Sequence, residues 1–177
     1  MKRILLIVLA LAPASLSGQH LEYLGGGGGL VSPAGSFGDV DNAGWHLSAL
    51  GIGRVRRSVR FTIDAVYGQT AHEGGVAGRS TLAGGTLSLP LFLASETRRV
   101  RPFIAAGIGA FRVNVNVPGF GSAAATKFAW DIGGGALIGS GRRRVFLVAR
   151  YVKVSTSPKR TSFLPISVAL VWPVGAH

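Results

Sequence analysis

The sequence predicts an all-β fold, in which eight antiparallel strands in up-and-down order close into a transmembrane β-barrel behind an N-terminal signal peptide. Three observations predict it. Only 15% of the 177 residues are charged, against roughly 25% in globular proteins, and 27 are glycine. Apolar runs of strand length alternate with turn-rich stretches, without helical periodicity. Within the runs, apolar side chains occupy one face and small or polar side chains the other.

The first 18 residues are predicted to be a cleaved signal peptide, which leaves a barrel domain over 19–177. Two basic residues precede an unbroken apolar run over residues 4–12, and small residues follow it. This is the order of an export signal, and the run is about half of the ~20 residues that a membrane-spanning helix needs. The protein is therefore expected to be exported.

The composition excludes several classes of function. The chain contains no Cys, so disulfides and thiol chemistry are excluded. The formal net charge is +12, but the chain is exported and has no basic groove with interleaved aromatic residues, which argues against nucleic acid. The glycine run at 25–29 lacks the Gly-Lys-Ser/Thr ending of a phosphate loop. No spacing of metal ligands is present, and we expect no metal, no cofactor and no catalytic residues.

The predicted strands follow from the apolar runs and the glycine- and polar-rich breaks between them. They cover residues 20–30, 44–55, 60–70, 80–93, 100–115, 127–140, 144–155 and 162–174.

The connections are of two kinds that alternate along the chain. Three are short and rich in arginine, and four are longer and contain Gly, Ser, Pro, Asn and Asp, over 31–43, 71–79, 116–126 and 156–161. In an up-and-down barrel, alternate connections lie at opposite ends, so all short turns are expected at one end. The turn arginines are Arg56, Arg57, Arg98, Arg99, Arg142 and Arg143.

Strand parity predicts which face meets lipid. In the last strand, Ile166, Val168 and Leu170 oppose Ser167 and Ala169. A soluble barrel, such as a lipocalin-like binder, needs frequent charges on its outer face, and mid-strand charges here are few. A transmembrane barrel has an apolar outer face, a polar interior and aromatic girdles at both interfaces. The girdle candidates are Trp45, Tyr67, Phe103, Phe111, Phe128, Trp130, Tyr151 and Trp172.

The same parity predicts a polar network in the interior, where eight strands leave just enough space for side chains. We expect Arg150 to pair with Asp131 or Asp64, because buried charges are tolerated when they are paired. The interior residues are predicted to be Glu22, His46, Ser48, Asp64, Thr86, Ser88, Arg112, Asp131 and Arg150.

Four segments resemble the small eight-stranded outer-membrane barrels of the OmpA, OmpX and opacity-like type. They read PFIAAGIG at 102–109, FAWDIGGG at 128–135, ARY at 149–151 and LPISVAL at 164–170. The resemblance implies an outer-membrane location, with the short turns in the periplasm and the long loops outside. The turn arginines would then meet the phosphates of the inner leaflet. It also implies outer-membrane lipids, lipopolysaccharide and the barrel-assembly machinery as partners.

The favoured function is a structural or surface-interaction role, in which the loops at 31–43, 71–79 and 116–126 contact lipopolysaccharide or a surface ligand. A narrow pore is one alternative. A lipid-A-modifying enzyme of the deacylase type is another, because His46 and Ser48 share a strand face and a histidine can activate a serine hydroxyl. The asparagine that usually follows the serine in such enzymes is replaced by Ala49.

Overall fold

A computed structural model of the protein describes residues 20–38, 41–56, 59–72, 78–117, 119, 121–156 and 161–174, and the predicted signal peptide lies outside them. The strands are β1 (His20–Ala34), β2 (Gly44–Arg56), β3 (Val59–Ala71), β4 (Arg79–Phe92), β5 (Val100–Val117), β6 (Gly121–Ile138), β7 (Arg144–Val154) and β8 (Thr161–Pro173). A 3-10 helix, Gly35–Phe37, follows β1. Within these ranges no helix is long and apolar enough to cross a membrane.

The eight strands form one closed barrel. Each strand pairs antiparallel with the next, and β8 returns to pair with β1 from Tyr23–Pro173 to Ala34–Ser162. Closure leaves no strand edge with unpaired backbone groups, which is the condition for a sheet to sit in lipid. The predicted all-β barrel of eight antiparallel strands in up-and-down order is confirmed, as are all eight predicted strands.

The hairpin of β5 and β6 is longer than predicted. The segment 116–126 was expected to be a loop, but most of it is strand, and Val115 pairs with Ala123 at this end. The β-branched residues Val113, Val115 and Val117 alternate along β5 and favour the extended conformation. The hairpin therefore consists of two strands of 18 residues each.

The two ends of the barrel differ. The turn end carries the short connections β2–β3, β4–β5 and β6–β7 together with the start of β1, and the loop end carries the other connections. The outer face between them is apolar and exposed. Its large side chains include Leu30, Leu47, Ile63, Leu87, Leu89, Leu91, Ile104, Ile108, Ile132, Ile166, Val168 and Leu170. A soluble lipocalin-like barrel requires the opposite arrangement, so that alternative does not fit.

The interior is filled in three layers. An apolar cluster at the loop end contains Phe111 and Phe163, whose rings meet edge to face at 5.3 Å. A second apolar cluster at the turn end contains Phe103 and Phe146, whose rings stack at 5.0 Å. Along β7, for example, Arg150 lies between Val148 of the turn-end cluster and Val152 of the loop-end cluster. A polar layer therefore lies between two apolar plugs.

Candidate functional site

The centre of the polar layer is an ion pair that crosses the barrel. Arg150 of β7 binds the carboxylate of Asp64 of β3, and its Nη1 donates to Thr86 Oγ1 at 2.9 Å. The two charged residues and Thr86 are all buried. The pair that parity predicted between Arg150 and Asp64 or Asp131 is thus formed with Asp64, and a hydroxyl supplies one further bond.

Asp131 lies beside this ion pair and contacts a different residue, Ser88. Ser88 Oγ is 3.3 Å from each carboxylate oxygen of Asp131. Gly107 is the register partner of both residues, and a Cβ at that position would collide with the Ser88 hydroxyl and the Asp131 carboxylate. The absence of a side chain at position 107 therefore makes the contact possible.

His46 forms its hydrogen bond with Ser167 and not with Ser48. Its Nε2 is 2.8 Å from Ser167 Oγ, and both residues are buried. They meet over Gly29 of β1, which is the register partner of both. The His46 Nδ1 atom is buried without a hydrogen-bond partner among the described residues. Serine activation requires an acid that orients the histidine ring, and within the described part of the chain no acid forms a hydrogen bond with this one.

Glu22 lies at the turn end, away from the polar layer. Its carboxylate binds Arg54 at 2.6 Å and Arg60 at 2.9 Å. Glu96, in the β4–β5 turn, binds the same two arginines, with Arg54 at 3.3 Å. The hydrogen bond from Arg60 lowers the pKa of Glu96 below its ordinary range. The four groups tie the β4–β5 turn to the mouth of the barrel.

The loop end carries a contact that the sequence did not indicate. Asp41 accepts a hydrogen bond from Thr70 Oγ1, and its other oxygen lies 2.6 Å from His72 Nδ1. The Nε2 atom of His72 lies 3.2 Å from the carbonyl oxygen of Asn116. These bonds anchor the connection after the 3-10 helix to β3 and to the β5–β6 hairpin.

Arg112 does not lie in the interior, and that prediction was wrong. The alternation of β5 is unbroken from Arg101 to Val113, which places Phe111 and Val113 inside and Arg112 outside with Ile108. The prediction treated a mid-strand charge as a sign of the interior, although its parity with Ile108 indicated the outer face. Arg112 is the register partner of Ala83, which in turn pairs with Tyr67 near the loop end.

The girdle candidates divide between the two faces. Phe103 and Phe111 are buried in the apolar plugs, so their predicted place at the interface was wrong. The other six residues lie on the outer face. Five are near the loop end, where Trp45 and Tyr67 form one ring contact, Trp130 and Tyr151 another, and Phe128 lies beside them. Trp172 alone is near the turn end.

The turn arginines that the structure describes lie at the end of the barrel where the connections predicted them. Five are exposed at the turn end, and the sixth, Arg57, lies outside the described residues. The exposed five are Arg56, Arg98, Arg99, Arg142 and Arg143.

Several interior residues were missed although parity could have found them. Ser167 shares the inward face of Ala169 and Val171, and Arg60 shares that of Asp64. Arg101 and Arg144 likewise begin the inward faces of β5 and β7. The prediction treated charged residues near strand ends as parts of turns, because the sequence does not define strand boundaries to within one residue.

The arrangement of strands is shared with solved structures. Neisserial surface protein A (NspA) superposes with a TM-score of 0.70 at 13% identity, over 89% of this chain and 99% of that one. The chain shares its fold. Ail, the attachment invasion locus protein of Yersinia pestis, gives a TM-score of 0.53 at 12% identity, over 88% and 99%. No protein-family model matches the chain, and no curated protein matches its sequence significantly. The resemblance to small eight-stranded barrels is confirmed at the level of the fold.

A further structure of Ail contains the heparin analogue sucrose octasulfate, and it gives a TM-score of 0.50 at 11% identity, over 88% of this chain and 99% of that one.

Proposed function

We propose that this protein is an outer-membrane β-barrel with a structural or surface-interaction role and no catalytic activity. The observation that carries the proposal is the exposed apolar belt around a closed barrel. Leu89, Leu91 and Leu30 are each at least 60% exposed, and they share their face with leucine, isoleucine and valine residues on all sides. A soluble protein rarely exposes such a continuous apolar surface, whereas lipid requires it.

The orientation follows from the two kinds of connection. Outer-membrane barrels have short turns in the periplasm and longer loops outside. The exposed turn arginines then lie at the inner leaflet, where a basic residue near anionic headgroups contributes roughly 1 kcal/mol. The loop end and its aromatic girdle lie at the outer leaflet. The barrel-assembly machinery would insert the chain in this orientation.

The proposed ligand of the outer face is lipopolysaccharide, bound through its phosphates. Lys153 Nζ lies 5.9 Å from the centre of the Trp130 ring, and the two residues line a surface pocket of about 310 Å³ with Val154, Ser155 and Thr156. Arg112 adds an outward-facing cation on β5, at the same end of the barrel. Ail, which has the same fold, has been crystallised with a sulfated polyanion.

The first experiment tests the membrane location. The full chain is expressed in a Gram-negative host, and the outer-membrane, inner-membrane and periplasmic fractions are compared on SDS gels with and without boiling. We expect the protein in the outer-membrane fraction with a mobility that changes on boiling, because a closed barrel resists SDS until it is heated. A protein that is free in the periplasm and shows no mobility change would contradict the proposal.

The second experiment tests the lipopolysaccharide contact. The double variant Arg112→Gln, Lys153→Gln is compared with Arg142→Gln, which removes a charge at the opposite end. Each cation near an anionic surface contributes roughly 1 kcal/mol to binding. We therefore expect the affinity of the double variant for lipopolysaccharide to be lower than that of the native chain by roughly tenfold or more. Arg142→Gln should bind it as the native chain does. Equal affinity of all three proteins would exclude this face as the binding surface.

The absence of catalysis is tested with His46→Ala. In cells that express the native chain or this variant, we expect the same lipid-A species by mass spectrometry. A lipid-A change that depends on His46 would overturn the non-enzymatic assignment.

A further inference from the structure

Four arginines face inward at the turn end of the barrel. Each occupies an inward-facing position near the end of its own strand. All four lie between the turn-end apolar cluster and the turns. They are Arg54, Arg60, Arg101 and Arg144. They are distinct from the exposed turn arginines, because their side chains lie toward the mouth of the barrel.

Two of the four are neutralised by carboxylates. Arg54 and Arg60 are direct register partners on β2 and β3, and like charges in that position repel. Glu22 and Glu96 each bind both of them, which removes the repulsion. These four groups carry no net charge together.

Arg101 and Arg144 remain without an anion. Neither forms an ion pair or a hydrogen bond with another described residue, and each lies over an aromatic ring instead. The Cζ atom of Arg101 is 4.3 Å from the centre of the Phe92 ring, and that of Arg144 is 5.0 Å from the centre of the Tyr23 ring. Stacking holds a guanidinium in place and leaves its N–H edge available for a planar acceptor.

Burial makes the missing anion costly. Arg101 is only 4% exposed, and its Nε atom is buried without a hydrogen-bond partner in the described part of the chain. The Nε atom of Arg144 is also buried and unpartnered, although its side chain as a whole is half-buried. The charges of Arg60 and Arg144 act unfavourably on that of Arg101, whereas the charge of Glu96, which binds Arg54 and Arg60, acts favourably on it without forming an ion pair. A buried cation of this kind normally has a paired anion.

We propose that Arg101 and Arg144 form an inward-facing binding site for a phosphate group at the turn end of the barrel. The cluster has four guanidiniums and two carboxylates, so its net charge is +2. A phosphate or phosphomonoester carries nearly two negative charges at neutral pH and offers three acceptor oxygens, which match two guanidinium forks. Of the two residues, Arg144 is the more exposed and Arg101 the more deeply buried.

The phosphate can come from a lipid headgroup of the adjacent leaflet or from a small phosphate compound in solution. The experiment uses the mature chain labelled with ¹⁵N-arginine and folded in neutral detergent micelles without phosphate. Sodium phosphate is titrated against sodium chloride of equal ionic strength, and the Nε–H signals are followed by NMR. We expect the signals of Arg101 and Arg144 to shift and saturate with phosphate and not with chloride.

The variants locate the site. Arg144→Gln is expected to weaken the phosphate response of Arg101 at least tenfold, and Arg79→Gln, which removes an exposed cation at the loop end, should leave it unchanged. Arg144→Gln is chosen because its side chain is partly exposed, and the mobility change on boiling verifies that it folds. An unsaturable response, or one that Arg144→Gln leaves intact, would overturn the proposal.

Lipid nanodiscs distinguish the two sources. If the lipid headgroup is the ligand, the Arg101 signal is already shifted in discs that contain phosphatidic acid, whose headgroup is a phosphomonoester, and unshifted in phosphatidylcholine discs at the same ionic strength. If a small compound is the ligand, the signal shifts only after free phosphate is added, in both discs. An Arg101 signal that is insensitive to both phosphatidic acid and free phosphate would show that stacking on Phe92 satisfies the residue, and the site would be rejected. That result would leave the membrane location and the lipopolysaccharide contact untouched, because those experiments do not involve Arg101.

Discussion

Arg150 is the residue on which the polar layer depends. It is the cation that pairs with Asp64, and its positive charge also attracts the carboxylate of Asp131. Arg150→Met would leave two carboxylates buried without a cation. Since removing one partner of a buried pair costs about 3–5 kcal/mol, we expect a loss of that size in the free energy of unfolding. Urea unfolding in lipid vesicles, followed by tryptophan fluorescence, measures it.

The control for this prediction is the triple variant Arg150→Met, Asp64→Asn, Asp131→Asn, which removes all three charges. It should recover part of the lost stability, because no buried charge remains. If Arg150→Met unfolds at the same urea concentration as the native chain, the ion pair does not stabilise the barrel.

Gly107 is a second residue whose role is local and testable. In Gly107→Ala, the new methyl group would occupy the space of the Ser88 hydroxyl and the Asp131 carboxylate, and the carbonyl oxygen of Leu87 lies 2.8 Å from it. We expect about 1–3 kcal/mol of destabilisation, the usual cost of overpacking. Gly26→Ala is the matched control, because the nearest atom to a Cβ there is a backbone oxygen at 3.4 Å. Equal unfolding midpoints of the two variants would contradict this explanation.

At the scale of elements, the β4–β5 turn is held by a pH-dependent contact. Arg60 lowers the pKa of Glu96, so the folded state binds this proton less readily than the unfolded state does. The contact therefore stabilises the turn above the ordinary pKa of Glu, about 4.3, and this stabilisation is lost as the pH falls through the lowered pKa. We expect the protection factors of the amides in the turn, which are corrected for the intrinsic pH dependence of hydrogen exchange, to fall below that pH. In Glu96→Gln these protection factors should already be low at neutral pH. If they fall in the same acid range in this variant, Glu96 is not the group that titrates.

The strands were predictable from sequence because glycine- and arginine-rich breaks mark both ends of each apolar run, and the alternation within a run fixes its face. The outward faces of Ile166 and Ile63 follow from this alternation alone. Contacts between strands are different, since they depend on register and closure. His46 and Ser167 are 121 residues apart and meet only because both pair with Gly29, which no local pattern reveals. Ser48 was the nearer serine in sequence but is not the partner.

At the scale of the whole molecule, the order of the interior layers decides whether the barrel conducts ions. The polar layer by itself could hold water. Phe111 and Phe163 close it toward the loop end. Phe103 and Phe146 close it toward the turn end. Two apolar plugs in series exclude ions, because a charge in an apolar constriction loses its hydration. We therefore expect no conductance in planar bilayers, including for Phe163→Ala, which thins only one plug. The double variant Phe163→Ala, Phe146→Ala thins both and is the one expected to conduct. Steady conductance steps of the native chain would show that the plugs open, and the narrow-pore function would then replace the closed barrel.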